Sequence, residues 1–484
     1  TTHQKKPHKP PPFFAQNSRK CSGLWGCGEI YIYWLYIVAV GGGGVLDIYI
    51  ATWGNPLGWL WSKYRCGGGG GVGGSASGEV EGFSSTKCWG DGVYVVYVVD
   101  SVIAASAPCK ENSVAEVVSS KCGGVGGVRV QSDGGRVFVS YDGSGGVKWR
   151  DAVVNYVKCV AKAIGVRDDV IVVVGAAKGE YRAGEVAWRF NAHGDVLAVS
   201  MLGELWEAIR KEVERRKPGY VYLHIDITHG VNFMPSLMAS VARMLASLLL
   251  TKVGDRVVVK IYNAVPVGEG IYEYVKVYSE EVRRFYFPWE PKTPAAKALY
   301  YGALLQFVMT CGEVRRRGLP QPVVKDNTVD YMGENIYSDL QDLYEDLLVE
   351  EVCKGAGGGR GGVSLDFLHG WDIRERLTPT AEAVLENELN TVSNVLRERY
   401  GHLERDPSLE GKCFKLGELF QRYASPESTA RRPDCKCGDS NIRNFIAHAG
   451  LLKDCITICK TDRGWEFCAD GADECRATLE CLRR

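Results

Sequence analysis

The sequence predicts an α/β domain built on a doubly wound, Rossmann-like sheet, followed by an all-α domain. Three observations carry that prediction. From Leu46 onward, short continuous apolar runs alternate with amphipathic helical stretches, the pattern of a parallel sheet covered on both faces. Strand-like runs then cease around Phe285-Tyr286-Phe287-Pro288-Trp289-Glu290-Pro291-Lys292-Thr293-Pro294, a proline-marked linker. Beyond it the apolar spacing is helical throughout, and at 484 residues the chain exceeds what one core usually serves.

Taken in order, residues 1–45 form a basic, proline-rich extension with an apolar run, Glu29 to Val40, and four glycines. The run is well short of the ~20 residues a membrane helix needs, so no membrane association is expected. Residues 46–290 hold the strand candidates Leu46 to Thr52, Val93 to Val99, Val170 to Val174, Tyr220 to Ile227 and Arg256 to Tyr262. Ile271 to Tyr278 alternates, as an edge strand or hairpin arm would. Helices are expected over Trp149 to Ala163, Leu202 to Lys217 (with Leu205, Trp206, Ile209 and Val213 on one face) and Phe233 to Leu250. Residues 291–484 carry helical patterns over Ala295 to Arg317, Met332 to Cys353, Thr380 to Arg399, Leu416 to Tyr423 and Asn441 to Leu452. The glycine tracts Gly67 to Gly74 and Gly355 to Gly362 read as flexible insertions, because such composition cannot bury a core.

Lys plus Arg and Asp plus Glu balance at 58 each, so no whole-molecule field recruits nucleic acid. RNA contacts must come from local clusters such as Arg283-Arg284, Arg315-Arg316-Arg317 and Arg431-Arg432. The 17 cysteines are odd in number and lack a paired C-x-x-C spacing. Free or occasionally paired thiols are expected, in a cytoplasmic protein, with zinc ligation or intracellular disulfides as the other readings of the crowded C-terminal cysteines. Gly69-x-Gly71-x-x-Gly74 matches a dinucleotide fingerprint only formally, since no buried strand precedes it, and no Walker lysine pattern occurs.

Two short strings carry chemistry. The apolar run Tyr220 to Ile225 ends in Asp226-Ile227-Thr228-His229-Gly230-Val231-Asn232. The carboxyl end of a central strand is where open α/β sheets bind ligands. Asp226 and Thr228 offer short polar side chains there, Gly230 permits a tight turn, and Asn232 can cap the next helix, whose free N–H groups favour phosphate. The first strand ends in a comparable small-residue turn, Trp53-Gly54-Asn55, followed by Trp59. Either tryptophan could stack on a base or belong to the core.

Arg443-Asn444-x-x-x-His448 lies in a helical stretch near the C-terminus. Asn444 and His448, four apart, share a helix face, and Arg443 is offset by roughly 140° yet long enough to reach the same pocket. Imidazole moves protons near neutral pH and guanidinium stabilises charge on phosphate, which suits RNA cleavage by its own 2'-hydroxyl without a metal.

Together these strings resemble the CRISPR-associated DxTHG family, in which a CARF sensor domain that binds cyclic oligoadenylate controls a HEPN ribonuclease domain. The resemblance implies catalytic roles for Arg443, Asn444 and His448. It places Trp53, Gly54, Asn55, Asp226, Thr228, His229, Gly230 and Asn232 at the activator site, with His229 either a participant or an orienter of the turn. It implies an accessory ribonuclease of type III systems, activated by cyclic oligoadenylate, most naturally the tetra-adenylate, with no further cofactor. Single-stranded RNA would be the substrate, and a homodimer or an assembly of dimers would complete a composite site. Two other readings stay open: a ligand-sensing regulator without nuclease activity, and a ring nuclease that degrades its own activator.

Overall fold

The computed structural model describes residues 44–67, 78–143, 145–231, 233–313, 316–356, 362–401, 407–420, 435, 439–468 and 473–483. The N-terminal extension, most of both glycine tracts, Asn232, Arg315 and Arg431-Arg432 lie outside them.

The first part is built on strands β1 (Val45–Trp53), β2 (Ser62–Cys66), β3 (Gly78–Gly82), β4 (Val93–Val99), β5 (Ala105–Pro108), β6 (Val128–Asp133), β7 (Arg136–Tyr141), β8 (Ile171–Gly175), β9 (Lys178–Ala183), β10 (Val186–Asn191), β11 (Tyr220–Asp226), β12 (Arg256–Gly268) and β13 (Ile271–Val282). Eight form the main sheet in the order β3-β2-β13-β12-β11-β1-β4-β8. From β12 to β8 neighbouring strands run parallel. β4 is buried along its whole length, and Val221, Leu223 and Ile225 of β11 are fully buried, the continuous apolar reading of a strand covered on both sides.

Helices α1 (Val114–Lys121), α2 (Trp149–Ala163), α3 (Gly194–Arg216) and α4 (Met234–Leu249) complete this part. α3 packs on β8 and β4, and α4 on β12 and β1. Leu205, Trp206, Ile209 and Val213 form the buried face of α3. With β2 and β3 added at the far edge, β4 and β8 extend the sheet on one side of β1, and β11, β12 and β13 extend it on the other, so the switch point lies at β1 and β11. That geometry aims the carboxyl ends of β1, β4 and β11 at one crevice.

The second part contains α5 (Pro294–Tyr301), α6 (Leu304–Thr310), α7 (Leu340–Gly355), α8 (Leu365–Gly370), α9 (Pro379–Tyr400), α10 (Leu416–Phe420), α11 (Asp439–Ala447), α12 (Asp473–Ala477) and α13 (Glu480–Arg483). The helical pattern over Ala295 to Arg317 is broken at Gly302, whose φ of 75° ends α5 and where a Cβ would stand 2.8 Å from the Ala381 carbonyl oxygen.

The helical part also carries strands. β14 (Gln321–Lys325) and β15 (Thr328–Met332) form a hairpin that joins β10 and β9 in a second sheet, ordered β14-β15-β10-β9. Met332 therefore ends a strand, and the helix expected from it begins only at Leu340. β16 (Val363–Ser364), β17 (Cys413–Lys415), β18 (Thr457–Thr461) and β19 (Gly464–Phe467) make another small sheet. Ile271 to Tyr278 is a hairpin arm, as expected, but not an edge: β2 and β3 add outside it.

Helix α7 packs on α3 and α4, and the hydrophobic core runs unbroken across both parts. The Tyr344 hydroxyl lies 2.7 Å from Ser247 Oγ. Lys252 Nζ reaches Glu351 Oε2 at 2.5 Å, and the buried Arg376 guanidinium bonds the carbonyls of Gly254 and Asp255.

The expectation of mostly free thiols is overturned. Disulfides join Cys66–Cys88, Cys122–Cys159, Cys311–Cys353, Cys413–Cys459, Cys435–Cys455 and Cys468–Cys475. Apart from Cys468–Cys475, seven residues apart, the partners lie 20 to 46 residues apart and meet through the fold, so spacing could not reveal them. Cys109 is free and exposed. Among the described residues no group of three or more His, Cys, Asp or Glu side chains is placed to hold a metal, and no helix is long and apolar enough to cross a membrane.

Candidate ligand crevice and nuclease site

The turns after β1 and β11 interlock. Gly54 N donates to the His229 carbonyl at 2.7 Å, and a Cβ on Gly54 would stand 2.8 Å from Val231 Cγ1. A Cβ on Gly230 would meet Thr52 Oγ1 at 2.8 Å and Pro235 Cδ at 3.0 Å. Both glycines are therefore required by close approach rather than by a positive φ.

Asp226 is 2% exposed. Its carboxylate accepts from Ser85 Oγ at 2.6 Å and from Thr228 N at 2.9 Å. The Thr228 hydroxyl accepts from Ala264 N at 2.9 Å, tying the turn to β12. His229 Nε2 accepts from Ser85 N at 3.4 Å, and its ring packs on Trp59 with centroids 4.3 Å apart. Burial lowers the His229 pKa against the pull of the nearby Asp226 carboxylate, so this imidazole is neutral. Asp226, Thr228 and His229, through its Nε2, thus build the turn.

Trp53 is corrected. Its side chain is fully buried and meets Trp59 edge-on at 5.1 Å, which leaves its ring no open face. β1 is buried on both faces from Ile48 to Trp53, so Trp53 belongs to the core, and Trp59 is the partly exposed ring of the pair.

Over these turns lies a cavity of about 430 Å³, lined by Gly54, Asn55, Val231, the residues after β4 and part of β9. Asn55 Oδ1 accepts from Leu57 N at 3.1 Å. Helix α4 starts at Met234, three residues after the cavity-lining Val231, and among the described residues no side chain caps its first turn. Asn232, expected as its cap, is outside the described residues.

In the second part, α11 presents Arg443 and Asn444 to solvent and buries Phe445. His448 follows immediately, its N–H donating to the Asn444 carbonyl at 3.0 Å. The chain then turns through left-handed Ala449 and Gly450 (φ 46° and 79°), and Gln306 Nε2 holds the Gly450 carbonyl at 2.9 Å. His448 Nδ1 lies 2.9 Å from Oε1 of Glu388 on α9. Glu388 was not foreseen, because one acidic residue in a charged helix carries no local signal. Its only trace is that it falls among the buried positions Leu385, Leu389 and Val392.

The family model for the CARF domain of the CRISPR system endoribonuclease Csx1 matches residues 48–266, and that for its HEPN domain matches residues 378–468. The chain belongs to the CARF–HEPN proteins of CRISPR systems. Coarsely, it is a CRISPR-associated, ligand-sensing ribonuclease. The two matches cover the interlocked turns and the His448–Glu388 pair respectively. No curated protein matches the chain.

The basic clusters of this CARF–HEPN protein are partly spoken for. Arg283 pairs with Glu281, Arg284 with Glu382, Arg316 with Glu207 and Arg317 with Asp342. Among the described basic groups, Arg443 is exposed and lies five residues before His448.

Proposed function

We propose that this chain is a metal-independent endoribonuclease, activated by cyclic oligoadenylate, that cleaves single-stranded RNA in antiviral CRISPR defence. The observation that carries the reading is the His448–Glu388 contact within the region matched by the HEPN model. A buried carboxylate on Nδ1 fixes the orientation of the ring, leaving Nε2 for proton transfer.

The substrate's 2'-oxygen attacks the adjacent phosphorus while the P–O5' bond breaks. His448 moves the proton, Arg443 stabilises the extra charge on the phosphoryl oxygens, and Asn444 orients one of these groups. The products are a 2',3'-cyclic phosphate and a 5'-hydroxyl end. One histidine per chain is completed by the same surface of a second copy, so a homodimer, or an assembly of dimers, forms the working site. The activator, most naturally the tetra-adenylate ring, occupies the crevice over Gly54, Asn55 and Val231, where a two-fold pair of crevices suits a symmetric ring. Activation requires that it bind the cleaving arrangement more tightly than the resting one.

The test is a fluorescent single-stranded RNA assay with excess chelator, run with each ring size of cyclic oligoadenylate. Cleavage only with an activator, retained under chelation and lost in Arg443→Ala and His448→Ala, is the expected result. Equal cleavage by His448→Ala would refute the catalytic assignment.

A further inference from the structure

The crevice has a wall that neither turn supplies. Opposite Gly54, Asn55 and Val231 it is closed by Glu180, Tyr181 and Arg182 of β9. Among the described lining residues Arg182 is the one cation. Its guanidinium stands 3.8 Å from Glu180, beyond hydrogen-bond range, and its side chain is 77% exposed. Such a pair contributes little and can be exchanged for an anion.

The strand behind Arg182 is firmly held. β9 pairs with β10, Tyr181 meets Phe190 edge-on at 5.4 Å, and β10 pairs in turn with β15 of the helical part. Tyr331 of β15 accepts from Ala177 N at 2.8 Å, just before β9, and donates to Asp100 Oδ1 at 2.7 Å, just after β4. One hydroxyl thus clasps both sides of the crevice and fixes where β9 stands.

We infer that Arg182 is a phosphodiester-binding residue of this crevice and that β9 forms its second wall. The inference rests on the sensor reading above. A guanidinium fork matches two oxygens of one phosphodiester, and the turn residues Gly54, Asn55 and Val231 line the same cavity. A ring with several phosphodiesters can therefore be gripped from both walls at once.

The experiment is calorimetric titration of the full chain with cyclic tetra-adenylate at low and at roughly physiological salt, for wild type, Arg182→Ala and Arg182→Lys. Melting temperature without ligand is measured alongside. Arg182→Ala should weaken binding by about 10- to 100-fold and flatten the salt dependence by about one counterion, with Arg182→Lys recovering part of the loss. Unchanged affinity and salt slope in Arg182→Ala would overturn the inference, as would a loss of binding matched by a lowered melting temperature. If the wild type itself binds no cyclic oligoadenylate, the sensor reading fails first and this inference with it.

Discussion

His448 Nδ1 and Glu388 Oε1, carried on separate helices, lie 2.9 Å apart, and Glu388 is only 9% exposed. A carboxylate only accepts, so the ring donates from Nδ1 and Nε2 is left without this partner. Glu388→Gln keeps the size but offers an amide in place of an acceptor-only carboxylate, which loosens the hold on the ring. It should lower the cleavage rate at saturating RNA by roughly 10- to 100-fold and leave KM little changed. A proportionate rise in KM would instead make Glu388 part of the RNA-binding surface.

Gly54→Ala should act without touching any charge. The new methyl would stand 2.8 Å from Val231 Cγ1 and 3.1 Å from the His229 carbonyl oxygen, forcing the two turns apart. The expected cost is about 1–3 kcal/mol of stability, with a loss of activator response that exceeds any loss of RNA binding. Thermal melting and an activator titration check both halves.

Asp100 predicts a pH dependence. Burial pushes its carboxyl up to about 7, against hydrogen bonds from Tyr331 and Trp149 and the nearby Arg150 charge. The folded chain therefore holds a proton that the unfolded chain releases near pH 4. Stability is greatest below that value and falls as pH rises toward about 7, by at most ~1.4 kcal/mol per pH unit. Asp100→Asn should remove this slope. Denaturant titrations at about pH 5 and about pH 8 should show the variant gaining on wild type at the higher pH, and parallel curves would contradict the assignment.

Reducing agent should destabilise the protein. Cys122–Cys159 joins the end of α1 to α2 across 37 residues, and Cys311–Cys353 joins the end of α6 to α7 across 42. Loops of that length constrain the unfolded chain by about 4 kcal/mol each. A melting temperature lowered by several degrees in excess reductant is the expected outcome, and an unchanged one would mean the thiols are already reduced.

The main sheet was legible because its buried strands read as unbroken β-branched runs, Val93 to Val99 above all. The turn motifs were legible because a strand end and a glycine mark them. What the sequence concealed is what depends on distant partners. The hairpins β9–β10 and β14–β15 are short, half-exposed and weakly patterned, and their pairing across the two parts has no local signature. The same holds for Glu388 and for every described disulfide but Cys468–Cys475, whose partners are seven residues apart. Trp53 and Trp59 looked equivalent as strings, and what separates them is that Trp53 ends a strand buried on both faces while Trp59 lies in the loop beyond it.

The unbroken packing of α7 against α3 and α4 bears on how this architecture could be taken apart. A fragment ending at the prolines near residue 290 would bare the apolar stripe that Leu347, Leu348 and Val352 now cover. Such a truncated sensor would aggregate rather than fold alone. Grafting a different effector onto it would require carrying α7 along as part of the module.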